Sequence, residues 1–265
     1  MSTRSDIPVA AGSAAVERDE PSPGIVRLRL NRPAQRNVMD AQLRDALDTQ
    51  LAKTLADTSV RAIILAGSPK VFSGGGDIRT MEGIGAAAAR ARLNAGHQLV
   101  RRLATAEKPI VAAPNGWAIG AAVGLLLLCD CVVAGRSSLF GFPFFRLALV
   151  PDWGITKTLP QRVGLPHARR LLLQGATVEA DEALAIGLVD LVVDDKDIDD
   201  LALQRAQELG RLPRQAFALT KQLLASSRGL HETLELEAAA QALCLVSEDA
   251  VEGRTAFFEK REPNF

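Results

Sequence analysis

One stretch constrains this chain more than any other: Asn115-Gly-Trp-Ala-Ile-Gly-Ala-Ala-Val-Gly-Leu-Leu-Leu-Leu-Cys-Asp130. It follows a β-branched pair, Ile110-Val111, and opens on the turn signal Pro114-Asn115-Gly116. From Gly120 onward it is apolar on every side. Such a helix has to be buried, so the rest of the fold must be built around it. Gly120, Ala121 and Ala122 leave the first-turn backbone N–H groups uncovered by side chains. Those groups carry partial positive charge and suit an anion or a developing oxyanion. Close packing of a core helix through its small residues is the alternative reading of this segment taken alone.

The flanking chain alternates strand and helix signals. Ile25-Val-Arg-Leu-Arg-Leu30 has the period of a half-buried strand. Asp40 can cap a helix carrying Leu43, Leu47, Leu51 and Leu55 at four-residue spacing. Arg61-Ala-Ile-Ile-Leu-Ala66 reads as a buried strand, and a helix runs through Leu93, Val100 and Leu103. Cys131-Val-Val-Ala134 and Leu139-Phe-Gly141 read as short strands. Thr177 and Asp197 are expected to cap two further helices, with Gly187 closing the first and Leu188 to Val193 a strand between them. Trp117 and the phenylalanines are read as packing residues. These signals divide the chain into a disordered leader (residues 1–23), a strand-and-helix core (24–200) and a helical region (201–265). Exposed aliphatic positions in the last region, Leu223, Leu234 and Leu243, are expected to pack on the core or on another subunit.

Composition narrows the partners. The chain carries 31 basic and 31 acidic residues with no polybasic block, which argues against nucleic acid and anionic membranes. The leader lacks the apolar centre of a signal peptide. Residues 109–129 carry no charge, but Pro109 and Pro114 interrupt them. The remainder is shorter than the roughly 20 residues a membrane span needs. Cys129, Cys131 and Cys244 form neither a disulfide framework nor a zinc pattern, which suits a reducing, cytoplasmic compartment. His97, His167 and His231 are too scattered for a metal cluster and read as surface or helix residues; no metal site is expected.

Two stretches besides the central one invite chemistry. Val71-Phe-Ser-Gly-Gly-Gly-Asp77 lets a ligand lie against the main chain, yet it matches neither a Walker loop nor G-x-G-x-x-G, so no nucleotide fold follows. A flexible turn is the alternative. Val150-Pro-Asp-Trp-Gly154 presents one carboxylate, Asp152, which on local grounds is a helix N-cap ahead of Ile155.

Phe72-Ser-Gly-Gly-Gly-Asp-Ile78, the run from Lys108 through Asp130, and the closing Phe257-Phe-Glu-Lys-Arg-Glu-Pro-Asn-Phe265 together resemble the enoyl-CoA hydratase/isomerase (crotonase) superfamily. The likeness covers roughly residues 24–265. It implies an α/β fold, a spiral of repeated ββα units with a C-terminal helical region that trimerises. A homotrimer or a hexamer built as a dimer of trimers is then expected, acting on an acyl-CoA thioester. No separate cofactor is implied, because coenzyme A belongs to the substrate. The resemblance places the oxyanion-holding backbone N–H groups at Gly76 and Ala121. It places coenzyme A contacts at Asp77 and Ile78, and also at Arg36 and Lys260. The last two read equally as solvated charges.

The superfamily varies its acids around one shared oxyanion site, so the fold does not settle the reaction. The two glutamates of the hydratases correspond here to Gly124 and Phe144, neither of which moves a proton. Asp152 is similar in position to the single aspartate of some enoyl-CoA isomerases of the superfamily, including those of phenylacetate degradation. The resemblance therefore implies a 3-enoyl-CoA to 2-enoyl-CoA isomerase, with Phe142, Phe144, Phe145 and Trp153 making the site apolar. Three alternatives stand beside it. Asp152 can be a nucleophile, as in aryl-CoA dehalogenases; hydratase activity can persist; or the protein can bind acyl-CoA without catalysis.

Overall fold

The computed structural model describes residues 14–226 and 228–265. Strands β1 (Val16–Ser22), β2 (Ile25–Leu30), β3 (Ala62–Ala66), β5 (Ile110–Ala113), β7 (Cys131–Gly135) and β10 (Leu191–Val193) form a six-stranded sheet in that order. Strands β4 (Val71–Ser73), β6 (Trp117–Ile119), β8 (Leu139–Gly141) and β9 (Thr177–Glu179) form a four-stranded one. The chain alternates between the two: β3 then β4, β5 then β6, β7 then β8. Within each sheet these successive members pair in parallel. A helix follows each pair, namely α2 (Ala86–Ala104), α3 (Ala121–Leu126) and α4 (Ile155–Gln174). This is the wound ββα architecture the motifs implied.

Local chemistry explains the elements. Helix α1 (Ala41–Ala56) starts where the Asp40 carboxylate accepts the Leu43 N–H at 2.9 Å, and it buries Leu43, Leu47 and Leu51. Every residue of β3 is buried, as expected of a parallel strand covered on both faces. One face joins the main core with Leu28, Leu47 and Leu99, and the other meets Ile198, Ala202 and Ala206 of α6 (Ile198–Gly210). Helices α7 (Arg214–Ala225), α8 (Leu230–Leu245) and α9 (Glu248–Glu259) follow. Lys221 of α7 reaches the core through Asp130 at 2.8 Å, and the same carboxylate oxygen accepts the Ile110 N–H.

Several expectations are corrected. Residues 1–13 of the expected leader lie outside the described residues, but from Val16 the chain is a strand paired antiparallel with β2. Glu17, Arg18, Asp19 and Glu20 hide its period, because ion pairing across the hairpin, such as Arg27 with Asp19 at 2.7 Å, replaces apolar burial. The central apolar helix is shorter than its sequence suggests and ends at Leu126. The chain has to unwind there so that the Asp130 N–H can reach the Ile110 carbonyl at the start of β5. Thr177 begins β9 rather than capping a helix, and Glu179 precedes α5 (Ala180–Ala185). Asp197 occupies an N-cap position without a side-chain hydrogen bond. Trp117, read as packing, is half exposed at 50%.

Asn37 fastens the chain before α1 to β4. It is fully buried in the left-handed region, at φ 48°. Its Oδ1 accepts the Arg32 N–H at 2.6 Å, and its Nδ2 donates to the Phe72 carbonyl at 3.0 Å and the Val71 carbonyl at 3.2 Å. Replacing Asn37 by Ala leaves these groups buried and unpaired in a backbone conformation alanine resists. The expected cost is about 3 kcal/mol in urea unfolding. A loss under about 1 kcal/mol would remove Asn37 from the fold's fixed points.

Candidate active site

Strands β4, β6 and β8 are neighbours and parallel, so their C-terminal ends emerge side by side. Three sequence-distant segments therefore meet: the glycine loop after β4, the junction of β6 with α3, and the loop after β8. They meet at a cavity of about 590 Å³, within the range of small-molecule sites. Gly76, Ile78, Ala121, Phe144 and Asp152 all line it, and α2 closes the opposite wall with Arg92, Leu93 and His97.

The two segments bearing backbone donors are in van der Waals contact. A methyl group at Gly75 would stand 2.3 Å from the Ile119 carbonyl oxygen and 3.6 Å from the Ala121 nitrogen. Gly75 has φ +86°, so only glycine is at ease there. Its N–H donates to Ser73 Oγ at 3.1 Å, and its carbonyl accepts the Met39 N–H at 2.7 Å. Gly74 donates to the Arg36 carbonyl at 2.8 Å. These bonds use up the outward-facing groups of the loop. Among the described residues, the N–H groups of Gly76 and Ala121 donate to no protein acceptor, and both residues form cavity wall.

Asp152 lies between the cavity and α4. Its carbonyl accepts the Ile155 N–H at 3.1 Å, whereas its carboxylate caps nothing; the N-cap of α4 is Gly154, at φ +77°. The N-cap reading of Asp152 is thus set aside. Among the described residues Asp152 is the sole carboxylate in the cavity wall, and the other titratable side chains there are Arg92 and His97. Burial pushes its carboxyl above the usual aspartate range; its own N–H and the nearby His97 and Arg92 only partly offset this.

The remaining expected site residues are distributed differently. Asp77 is not part of the wall: its carboxylate accepts the Arg79 N–H at 3.1 Å and its carbonyl accepts Arg92 Nη2 at 3.0 Å. Arg36 and Lys260 are exposed residues with left-handed backbones and do not line the cavity. Phe144 forms wall, Phe142 is core, Phe145 is exposed, and Trp153 is buried behind Asp152 rather than facing the cavity. Gly124 is likewise out of the wall, covered by Trp153.

Arg92 and His97 are the wall residues a sequence reading passes over. Arg92 also donates to Thr80 Oγ1, so it ties α2 to the turn after the glycine loop. In sequence the two sit among Arg90, Arg101 and Arg102 on a helix whose buried face is Gly96, Leu99 and Leu103. Charges at such spacing read as a solvated face. The available signal was a histidine next to a buried helical glycine.

Fold and cavity together define a class, an α/β enzyme that works on a ligand gripped by main chain at the ends of parallel strands. The chain belongs to the enoyl-CoA hydratase/isomerase family, whose sequence profile matches residues 20–265. It is 36% identical over 244 residues to the 2,3-dehydroadipyl-CoA hydratase of Escherichia coli (strain K12), covering 91% of this chain and 94% of the relative. It is also 36% identical over 248 residues to that organism's 1,2-epoxyphenylacetyl-CoA isomerase, covering 91% and 95%. The enoyl-CoA hydratase structure from Bacillus anthracis superposes with a TM-score of 0.88 at 28% identity, over 95% of this chain and 98% of that one. The protein is accordingly an acyl-CoA enzyme of the crotonase superfamily. Among the described residues no helix is long and apolar enough to cross a membrane.

Proposed function

We propose that the protein is an isomerase that moves the double bond of a 3-enoyl-CoA to the 2-position. In this reading the thioester oxygen accepts hydrogen bonds from Gly76 and Ala121. The Asp152 carboxylate takes a proton from C2, and the electron pair left behind spreads over C4 and the thioester oxygen. Asp152 then returns the proton at C4, so that no water is consumed. Each backbone donor that meets the developing charge contributes a rate factor on the order of 100 to 1,000. The substrate brings coenzyme A, and the reading requires no further cofactor.

One observation carries this choice: among the described residues the cavity wall holds a single carboxylate, raised in basicity by burial, where hydration by paired glutamates requires two. The relative named as a 1,2-epoxyphenylacetyl-CoA isomerase supports isomerase rather than hydratase chemistry on an acyl-CoA. The hydratase names among the other relatives support a second reading. His97 stands in the same wall as Asp152 and could serve as the second proton carrier that hydration needs.

The test is to present 3-enoyl-CoA esters, aliphatic and aryl-substituted, and follow the ultraviolet absorbance of the conjugated product. Conversion of at least one is expected. Failure with all of them, alongside formation of 3-hydroxyacyl-CoA from 2-enoyl-CoA or halide release from a halogenated aroyl-CoA, would replace the isomerase reading. The acid limb of kcat/KM is expected above the usual aspartate range, because a raised carboxyl stays protonated, and inactive as a base, to higher pH. His97→Gln removes one of the charges that offset burial and should move that limb further upward; a limb that stays put would take His97 out of the site's electrostatics.

The same reading includes a homotrimeric or hexameric assembly. Phe257, Phe258, Leu230 and Val246 of the C-terminal helices are all more than three-quarters exposed in the single chain. Large apolar side chains left this open are ones that a contact between subunits would cover.

A further inference from the structure

We propose that Trp153 is a positioning residue for the Asp152 carboxylate, seated in a socket made by two glycines, Gly96 of α2 and Gly124 of α3. The functional consequence rests on the isomerase reading of Asp152, but the socket does not.

The Asp152 carboxylate takes a hydrogen bond from its own N–H and, among the described residues, from no other, so no hydrogen bond from a neighbouring element aims it. Its neighbour is held hard. Trp153 is buried with φ 55°, a left-handed conformation uncommon for a bulky residue, and Gly154 follows at φ +77°. Two successive left-handed residues reverse the chain between the cavity and α4. The indole lies flat against Gly96, where an added Cβ would stand 3.3 Å from Cζ2 and 3.6 Å from Cε2. The Trp153 backbone lies against Gly124, where a Cβ would meet Trp153 Cβ at 2.6 Å and its carbonyl oxygen at 3.1 Å.

Neither glycine is explained by its own helix. Both sit inside helices at ordinary negative φ, where alanine would be the better helix former. Gly96 leaves room for the indole, and Gly124 leaves room for the Trp153 Cβ and carbonyl and for Ile155 Cγ1. Position 124 and the loop through residue 153 therefore exclude each other: while the loop follows this path, α3 cannot carry a side chain there, acidic or otherwise. The carboxylate that α3 could have offered is replaced by one entering from the loop at residue 152. Single-acid chemistry is then a consequence of one steric exchange, and adding a glutamate at 124 would unseat the acid already present.

The experiment uses the full chain with Trp153→Phe, Trp153→Ala, Gly96→Ala, and the Gly96→Ala/Trp153→Ala double variant. Steady-state kinetics with a 3-enoyl-CoA are combined with carbon-13 titration of the Asp152 carboxyl. Trp153→Ala should lower kcat by roughly 100-fold with KM changed less than about threefold, the signature of a misplaced group rather than lost binding. Trp153→Phe should recover to within about tenfold of the parent. Gly96→Ala should lower kcat in the parent yet change it less than about twofold once Trp153 is Ala, since the indole atoms that its Cβ would meet are then gone. In the titration, Trp153→Ala should bring the Asp152 carboxyl down toward the usual range as water reaches it, with His97 and Arg92 of α2 still facing it.

Should Trp153→Ala fail to fold, Gly96→Ala and Trp153→Phe carry the comparison at unchanged melting temperature. A loss confined to KM, multiplicative losses in the double variant, or an unmoved titration would each overturn the positioning role. A protein that isomerises nothing but still shows the titration shift would overturn the reaction assigned to Asp152 and leave its placement by Trp153 standing.

Discussion

Asp152→Asn is expected to lower kcat for 3-enoyl-CoA isomerisation by roughly 1,000-fold or more while acyl-CoA binding stays within about threefold. The amide has the shape of the carboxyl but cannot take a proton from C2. The Gly76 and Ala121 N–H groups that grip the thioester are untouched. The same substitution should leave the melting temperature unchanged or raise it. The folded-state carboxyl lies above its ordinary value because burial disfavours its charge. A group raised in this way stabilises the fold only below its unfolded-state pKa. That contribution is lost as pH rises through the folded value, so at neutral pH the ionised carboxylate opposes folding. Asparagine has no charge to bury. Activity lost with stability kept is the pattern of a group held in place for chemistry rather than for the fold. Thermal unfolding and steady-state kinetics on one preparation decide the matter. A variant that still turns over would dismiss Asp152 as the base, and a fall of many degrees would return it to a structural role.

The sequence made parts of this site legible because their physics is local. Leucines at 43, 47 and 51 with Asp40 ahead of them dictate α1 from within sixteen residues. Three glycines after an apolar strand announce a close backbone approach. The exposed donors of a glycine- and alanine-led helix follow from its first turn alone. What stayed hidden depends on pairs distant in the chain. β1 is charged on its surface and becomes a strand only against β2. The length of α3 is set by the obligation of Asp130 to reach Ile110, which no window of the helix itself contains. Asp152 looks like a cap because Pro-Asp-Trp-Gly has a cap's composition. Trp153, pressed onto glycines 57 positions before it and 29 before it in the chain, turns the backbone so that Gly154 takes that place instead. Arg92 and His97 enter the cavity only because the strand order brings α2 over the ends of β4 and β6.

Gly75→Ala should be severely damaging to the site. At φ +86° the new side chain is strained whatever the space, and its Cβ would stand 2.3 Å from the Ile119 carbonyl oxygen and 3.2 Å from its carbon. Neither partner is the flexible end of a side chain. Gly75 cannot retreat, because its N–H is held by Ser73 Oγ and its carbonyl by the Met39 N–H. Ile119 is equally confined, in a strand paired with β8 and followed by Gly120, which donates to the Gly141 carbonyl at 2.9 Å. The conflict resolves only by parting the glycine loop from the start of α3, the two segments that carry the Gly76 and Ala121 N–H groups. Two donors that must meet one oxygen are then too far apart, and losing one such contact costs on the order of 100- to 1,000-fold in rate. A stability loss of about 2–4 kcal/mol should accompany it, from backbone strain and overpacking together. Gly74→Ala is the matched control. Its Cβ would meet the Arg36 carbonyl at 3.4 Å and Arg36 Cβ at 3.5 Å, ordinary contact distances, and its φ is not positive. It should retain activity to within about threefold. Equal activity in the two variants would mean that the spacing of the backbone donors does not govern the reaction, and a loss in Gly75→Ala that appears only as weaker folding, with kcat intact, would mean the same.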